Sequence, residues 1–301
     1  MNIHDLETVP IERITGISGE EISGLINGTR RPLIFYGFDK EFAPLKEWNL
    51  DFFSRLDTSV PVQAPESDGV NYFVKYFRVP AREFVDRINN GEGLYIGARE
   101  ILKKNGLRSD KDGLGDLADK LKLPDWIDKS RIWSVNLWVG AGNNKTLLHY
   151  DPWDGVLMLV EGKKEFILFP ETESSKMYQH SALDFKALNQ GAVLHSKIRP
   201  LDVQERYREK FSQARGYRGT ISAGEMIYIP AGFWHYVESS DLNIAINFFL
   251  NFKDRSLNFR EPLRTYWIKD NITLWPVKLF WKTRFRAITM IRYFFPKKEP
   301  N

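Results

Sequence analysis

The chain contains no cysteine. That absence excludes disulfides, thiolate zinc sites, iron–sulfur clusters and thiol nucleophiles. Histidine is scarce too, five in 301 residues, so a histidine inside an apolar segment asks for a reason. No apolar run approaches the roughly 20 residues of a membrane span. The opening "MNIHDLETVPIERITG" has no apolar stretch to serve as a secretory signal. A net charge of only +4 does not force a nucleic-acid partner. Low-complexity linkers and internal repeats are missing as well. What is present is 43% hydrophobic and 14% aromatic residues, enough for a substantial core and too much for disorder. These features lead us to expect a soluble, cytoplasmic protein.

Residues 1–90 read as a mixed α/β lead-in. "RPLIFYGF" (31–38) is a buried strand, and "PAREFVDRINNG" (80–91) a helix ended by Gly91. From about residue 130 the chain turns to short strands separated by turn residues: "RIWSVNLWVG", "GVLMLVEG", "KEFILFP", "GEMIYIP" and "NIAINFFL". This is the pattern of a sandwich or barrel. Residues 171–220 read as a charged, partly helical insertion, and helical periodicity returns after about 255. The expected organisation is one domain over 1–254, with the barrel over 91–254, and a helical extension over 255–301.

The stretch "TLLHYDPWDGVLMLVEGKKEFILFP" (146–170) carries polar groups among apolar ones, and burying such groups costs free energy unless they are paired. His149 and Asp151 lie two apart on a strand, so both leave the same face. A surface His–Asp pair would look the same. A second segment, "GEMIYIPAGFWH" (224–235), changes the balance. Pro230 ends a strand, and Gly232 permits a bend that turns His235 back over the sheet. Two imidazoles and one carboxylate on one side of a metal leave open positions, the arrangement suited to non-haem Fe(II) oxygenases. His4, His180 and His195 lack such placement and read as solvated.

The runs "HYDPWDGVLMLVEGKKEFILFP" and "GEMIYIPAGFWHYVES" resemble the Jumonji-C, cupin-like family of Fe(II)/2-oxoglutarate oxygenases, and within it the small hydroxylases grouped with the asparaginyl hydroxylase called factor inhibiting HIF. The resemblance covers about residues 90–250. It implies a mainly β, double-stranded β-helix (jelly-roll) barrel with flanking helices. It also implies His149, Asp151 and His235 as iron ligands, and Lys164 as the partner of the distal carboxylate of 2-oxoglutarate. Thr146 and Tyr95 match hydroxyl donors to that carboxylate, and Asn247 an asparagine lining the cosubstrate pocket. Gly155 departs from the pattern, because the asparaginyl hydroxylase has an asparagine there, and this puts the substrate in doubt. The implied reaction is C–H hydroxylation with O2 and 2-oxoglutarate, releasing succinate and CO2. Demethylation would follow the same route.

The residues alone leave alternatives. Lys163 and Lys164 both in water at the tip of a turn would equally fit "EGKK". Asn247 alternates with Ile244, Ile246 and Phe248 and so faces away from them, as a backbone-bonding asparagine would too. Regular strand periodicity sends Thr146 and His149 to opposite faces, so only the resemblance places Thr146 in the pocket. A cupin-type isomerase or dioxygenase without 2-oxoglutarate, and a metal-free binding module, are the rival functions. Trp138 and Trp234 read as core, Trp153 as a mouth residue. The arginines of the insertion (Arg199, Arg206, Arg208, Arg215, Arg218) read as a solvated face. In the C-terminal run, Val277, Phe280, Trp281, Phe285, Ile288, Ile291 and Phe295 share one helical face, with Lys278, Lys282, Arg286 and Arg292 away from it. We expect this helix to form a C2 homodimer. Packing on its own barrel, or lying on a membrane surface, are the alternatives.

Overall fold

Residues Val156, Met158 and Val160 are buried on one side of their strand and Leu159 on the other. Both faces are covered, which is why this segment reads as a continuous apolar run rather than an alternation. The computed structural model describes residues 1–37, 47–63, 76–189 and 192–273. In it this strand lies inside a large sheet that forms one wall of a barrel. The strands are β1 (Glu7–Pro10), β2 (Glu12–Thr15), β3 (Leu33–Tyr36), β4 (Ser59–Gln63), β5 (Tyr76–Pro80), β6 (Tyr95–Lys103), β7 (Leu107–Arg108), β8 (Ile132–Gly140), β9 (Asn144–Lys145), β10 (His149–Tyr150), β11 (Asp154–Glu161), β12 (Lys163–Phe169), β13 (Arg215–Ser222), β14 (Met226–Ile229), β15 (Trp234–Ser239) and β16 (Asn243–Leu250).

Two sheets face each other. The larger runs β2-β3-β14-β11-β16-β8-β6-β4-β5, with β7 on β6; the smaller runs β1-β13-β12-β15-β10, with β9 on β15. Within them β8-β16-β11-β14 opposes β13-β12-β15-β10. From β8 onward the chain crosses back and forth between the sheets, with β8, β11, β14 and β16 in the larger and β10, β12, β13 and β15 in the smaller, and this is the double-stranded β-helix of a jelly roll. The lead-in is built into these sheets: β2 to β5 extend the larger one and β1 the smaller.

Three apolar layers hold the barrel. Phe166, Leu168, Leu159, Ile227 and Ala245 fill its interior. The helix Ala81–Asn89, with Phe84, Val85 and Ile88 buried, covers the outer face of the larger sheet together with the helix Gly19–Gly28. The latter opens on a capping box between Ser18 and Glu21, which satisfies two otherwise orphaned N–H groups. On the outside of the smaller sheet, Tyr150, Ile167, Phe169 and Trp234 pack against Met177, Ile198, Val203 and Phe211 of the insertion. No helix among the described residues is long and apolar enough to cross a membrane.

Two readings of the sequence need correction here. The last part of the supposed insertion is strand β13, between β1 and β12. Its polar sequence "RGYRGTIS" hid it, because its outward side chains are charged and pair on the surface: Arg215 with Glu7 and Arg218 with Glu165. Secondly, the three other histidines are not free in water. His4 lies 3.3 Å from Glu238 and His180 3.1 Å from Asp184, and His195 reaches the site described below. The proposed dimerisation face from Val277 to Phe295 lies outside the described residues. Before it the chain forms the helix Leu263–Ile268.

The turn that delivers Lys164 rests on Gly162. Its φ of +88° suits glycine, and an added Cβ would sit 2.1 Å from the carbonyl oxygen of Leu242. Gly162→Ala is therefore expected to destabilise the fold by about 2–4 kcal/mol. A thermal melt checks this; an unchanged Tm would refute the packing of that turn.

Candidate metal centre and cosubstrate cavity

His149 on β10 stands directly opposite His235 on β15 in the ladder. Their ring centroids are 4.1 Å apart, and His235 Nε2 lies 3.5 Å from Asp151 Oδ2. One ligand atom from each of His149, Asp151 and His235 falls within 4.8 Å of the others. Each imidazole is oriented by a backbone carbonyl: His149 Nδ1 is 2.6 Å from Leu147 O and His235 Nδ1 is 3.0 Å from Phe233 O. A carbonyl only accepts, so each Nδ1 carries the hydrogen and the Nε2 lone pairs are left free. Burial pushes the Asp151 carboxyl up and holds His235 well below the ordinary histidine range. Both shifts disfavour the charged form. This donor set fits a divalent metal, which keeps a carboxylate ionised and takes neutral imidazoles.

Gly232 has φ +82° and carries the bend before His235, as its position in the sequence anticipates. Its N–H donates to Asp151 O at 2.9 Å, tying the two ligand-bearing segments together.

The cluster opens on a cavity of about 280 Å³ inside the barrel. Tyr95, Thr146, Lys164 and Asn247 line it, with Trp138, Trp153 and Phe249 among the aromatic walls. That volume sits at the lower end of the roughly 300–1,000 Å³ of small-molecule pockets, so it suits a compact ligand. Lys163 is exposed and Lys164 only 4% exposed, which resolves the "EGKK" ambiguity. Lys164 Nζ donates to Ser239 Oγ at 3.3 Å, and among the described residues no carboxylate pairs with it. Burial pushes its ammonium down to about 7. Burial also holds the Tyr95 phenol well above its usual range, so it stays a hydroxyl donor. Asn247 Oδ1 is buried without a donor, an orphan that a bound ligand or water would satisfy.

Thr146 reaches the cavity through a bulge. Lys145 pairs with Glu238 but His149 pairs with His235, so one extra residue lies between them and brings 146 and 149 to the same side. Thr146 is fastened at both ends: its N–H donates to Val237 O at 2.9 Å, and its hydroxyl accepts from Val237 N at 3.0 Å. Gly155 needs no special backbone. A Cβ there would meet ordinary contacts at 3.7–3.9 Å, among them Ile229 O and Asn247 Oδ1, so the missing side chain leaves room beside Asn247.

Sequence reasoning missed His195. Its ring stacks on His149 with centroids 5.4 Å apart, and burial pushes it down to about 3. The insertion brings it there through Ser196, whose N–H donates to Leu148 O. Nothing local in the sequence signals that tertiary contact. Trp234 is fully buried, and Trp138 packs against the interior cluster while also lining the cavity.

Comparison with known proteins follows the same lines. The mouse "tRNA wybutosine-synthesizing protein 5" is 22% identical over 88% of this chain and 85% of its own length. The human "Bifunctional peptidase and (3S)-lysyl hydroxylase JMJD7" is 28% identical over 72% of this chain and 76% of its own. The Arabidopsis thaliana "Lysine-specific demethylase JMJ31" is 26% identical over 58% of this chain, which spans 31% of that longer protein. None of these three names is an asparaginyl hydroxylase. The model of the cupin-like domain matches residues 22–255, and this chain belongs to that family.

Proposed function

We propose that this protein is an Fe(II)- and 2-oxoglutarate-dependent oxygenase that hydroxylates a C–H bond of a protein side chain or small molecule, releasing succinate and CO2. The observation that carries this reading is a buried ammonium, Lys164, facing the same cavity as the three-ligand cluster. An isolated buried cation is costly unless an anion meets it. A dicarboxylate bound to the metal at one end and to Lys164 at the other satisfies both. A cupin-type isomerase or a metal-free module gives Lys164 no such reason.

In this reading His149, Asp151 and His235 hold the metal, which when bound supplies the oxygen-activating chemistry. Lys164, Thr146 and Tyr95 grip the distal carboxylate of the cosubstrate. Asn247 lines its flank, and the aromatic walls exclude water. The relatives' names include a lysyl hydroxylase and a tRNA wybutosine-synthesizing protein, so the substrate screen covers proteins and tRNA. The test is succinate formation from 2-oxoglutarate on adding Fe(II) and O2, with mass spectrometry of protein and tRNA fractions for the gain of one oxygen atom. Turnover that needs both additions supports the assignment; none, with no 2-oxoglutarate binding, removes it.

A further inference from the structure

Asp154 carries a buried carboxylate that the proposed chemistry does not use. Its side chain is 5% exposed and lies 3.0 Å from Arg131 Nη2, with Arg30 Nη1 at 3.8 Å. Oδ1 accepts from Ala231 N at 3.0 Å and from the Tyr228 hydroxyl at 3.3 Å. Ala231 belongs to the Pro230–Gly232 turn that leads into His235, while Asp154 follows Asp151 by three residues. The other face of the turn is held as well: Arg30 Nη2 donates to Ala231 O at 2.7 Å. Both backbone polar groups of Ala231 are thus held by an ion-paired acid and base. Arg131 anchors the pair to the barrel by donating to Asn251 O at 2.9 Å and to Asn27 Oδ1.

Together with the Gly232–Asp151 backbone bond, this makes two cross-links between the segments that carry Asp151 and His235. We propose that Asp154 is a positioning residue that locks the spacing of those two metal ligands. This rests on the metal reading of the site. Partners of this kind, one layer behind the ligands, typically change metal affinity 10- to 100-fold when lost. A purely structural acid would instead affect stability and leave the ligands alone.

Asp154→Asn and Tyr228→Phe separate the two cases. Asp154→Asn removes the charge, and with it the ion pair to Arg131 and the charge-assisted strength of the bond from Ala231 N, whereas Tyr228→Phe removes only a hydroxyl donor. Asp154→Asn is expected to weaken Mn(II) binding about tenfold and to speed amide exchange at Ala231 and Gly232 by at least about tenfold. Tyr228→Phe is expected to leave both about as in the parent protein. Unchanged exchange at Ala231 and Gly232 in Asp154→Asn, or equal effects of the two variants, would overturn the proposal. If Asp154→Asn does not fold, Arg30→Met releases the carbonyl side of the same peptide without stranding a buried charge, and the same two readings decide. A parent protein that binds no Mn(II) would sink the metal reading instead, and the exchange data still show whether the clamp exists.

Discussion

Replacing His149 with alanine is expected to cut affinity for Fe(II), or for Mn(II) as a redox-silent stand-in, by at least about a hundredfold while the barrel stays folded. Losing one of three protein ligands removes more than an outer partner does, and outer partners alone cost 10- to 100-fold. The fold should survive because His149 is half-buried on a two-residue strand, and among the described residues its ring hydrogen-bonds Leu147 O alone. Leaving that carbonyl unpaired costs about 1–3 kcal/mol. Isothermal titration with Mn(II), paired with circular dichroism, checks both halves. Affinity within about fivefold of the parent would remove His149 from the metal site.

Lys164→Met is expected to weaken 2-oxoglutarate binding by a factor of hundreds or more, since stranding one member of a buried charge pair costs roughly 3–5 kcal/mol. The same change should raise the Tm of the cosubstrate-free protein, because a buried ammonium without its anion is a burden on the fold. Opposite effects on stability and binding mark a residue kept for its ligand. The pH dependence has a definite sign. The folded pKa of Lys164 is near 7, against an ordinary 10.5, so between those values the unfolded chain binds more protons. Lys164's contribution to the stability of the cosubstrate-free protein therefore rises with pH across that window and is flat below it. Binding of the dianion favours the charged lysine. Above about pH 7, 2-oxoglutarate should bind with uptake of a proton, and its affinity should fall by up to roughly tenfold per pH unit. Calorimetry in buffers of different ionisation enthalpy measures that uptake. Equal affinity at pH 6.5 and 8.5 would return Lys164 to a structural role.

Most of the barrel was legible because its central strands are apolar on both faces and are bounded by glycine and proline. The three residues that converge as the His149–Asp151–His235 cluster stand out because two elements, His-x-Asp and Pro-x-Gly-x-x-His, orient them locally, and the pairing of β10 with β15 then brings them together. Other features depend on contacts distant in sequence. Strand β13 is polar and forms only because β1 and β12 flank it. Thr146 faces the cavity through a one-residue bulge visible in the pairing of β9 and β10 with β15, not in the residues themselves. His195 arrives from the insertion. Asp154 opens β11, and its partners Arg30, Arg131 and Ala231 are scattered along the chain. Gly155 marks a place where the sequence departs from the asparaginyl-hydroxylase pattern, and the space it leaves beside Asn247 belongs to the substrate question.

In the proposed function His149, Asp151 and His235 hold iron in the same cavity where Lys164 holds 2-oxoglutarate. Anaerobic titration of 2-oxoglutarate into the Fe(II)-loaded protein tests it most directly. A weak visible metal-to-ligand charge-transfer band is expected that saturates with the bound iron and is lost in His149→Ala. Iron that binds tightly but shows no band, with 2-oxoglutarate leaving its spectrum unchanged, would contradict that function and favour a cupin-type metalloenzyme of another chemistry.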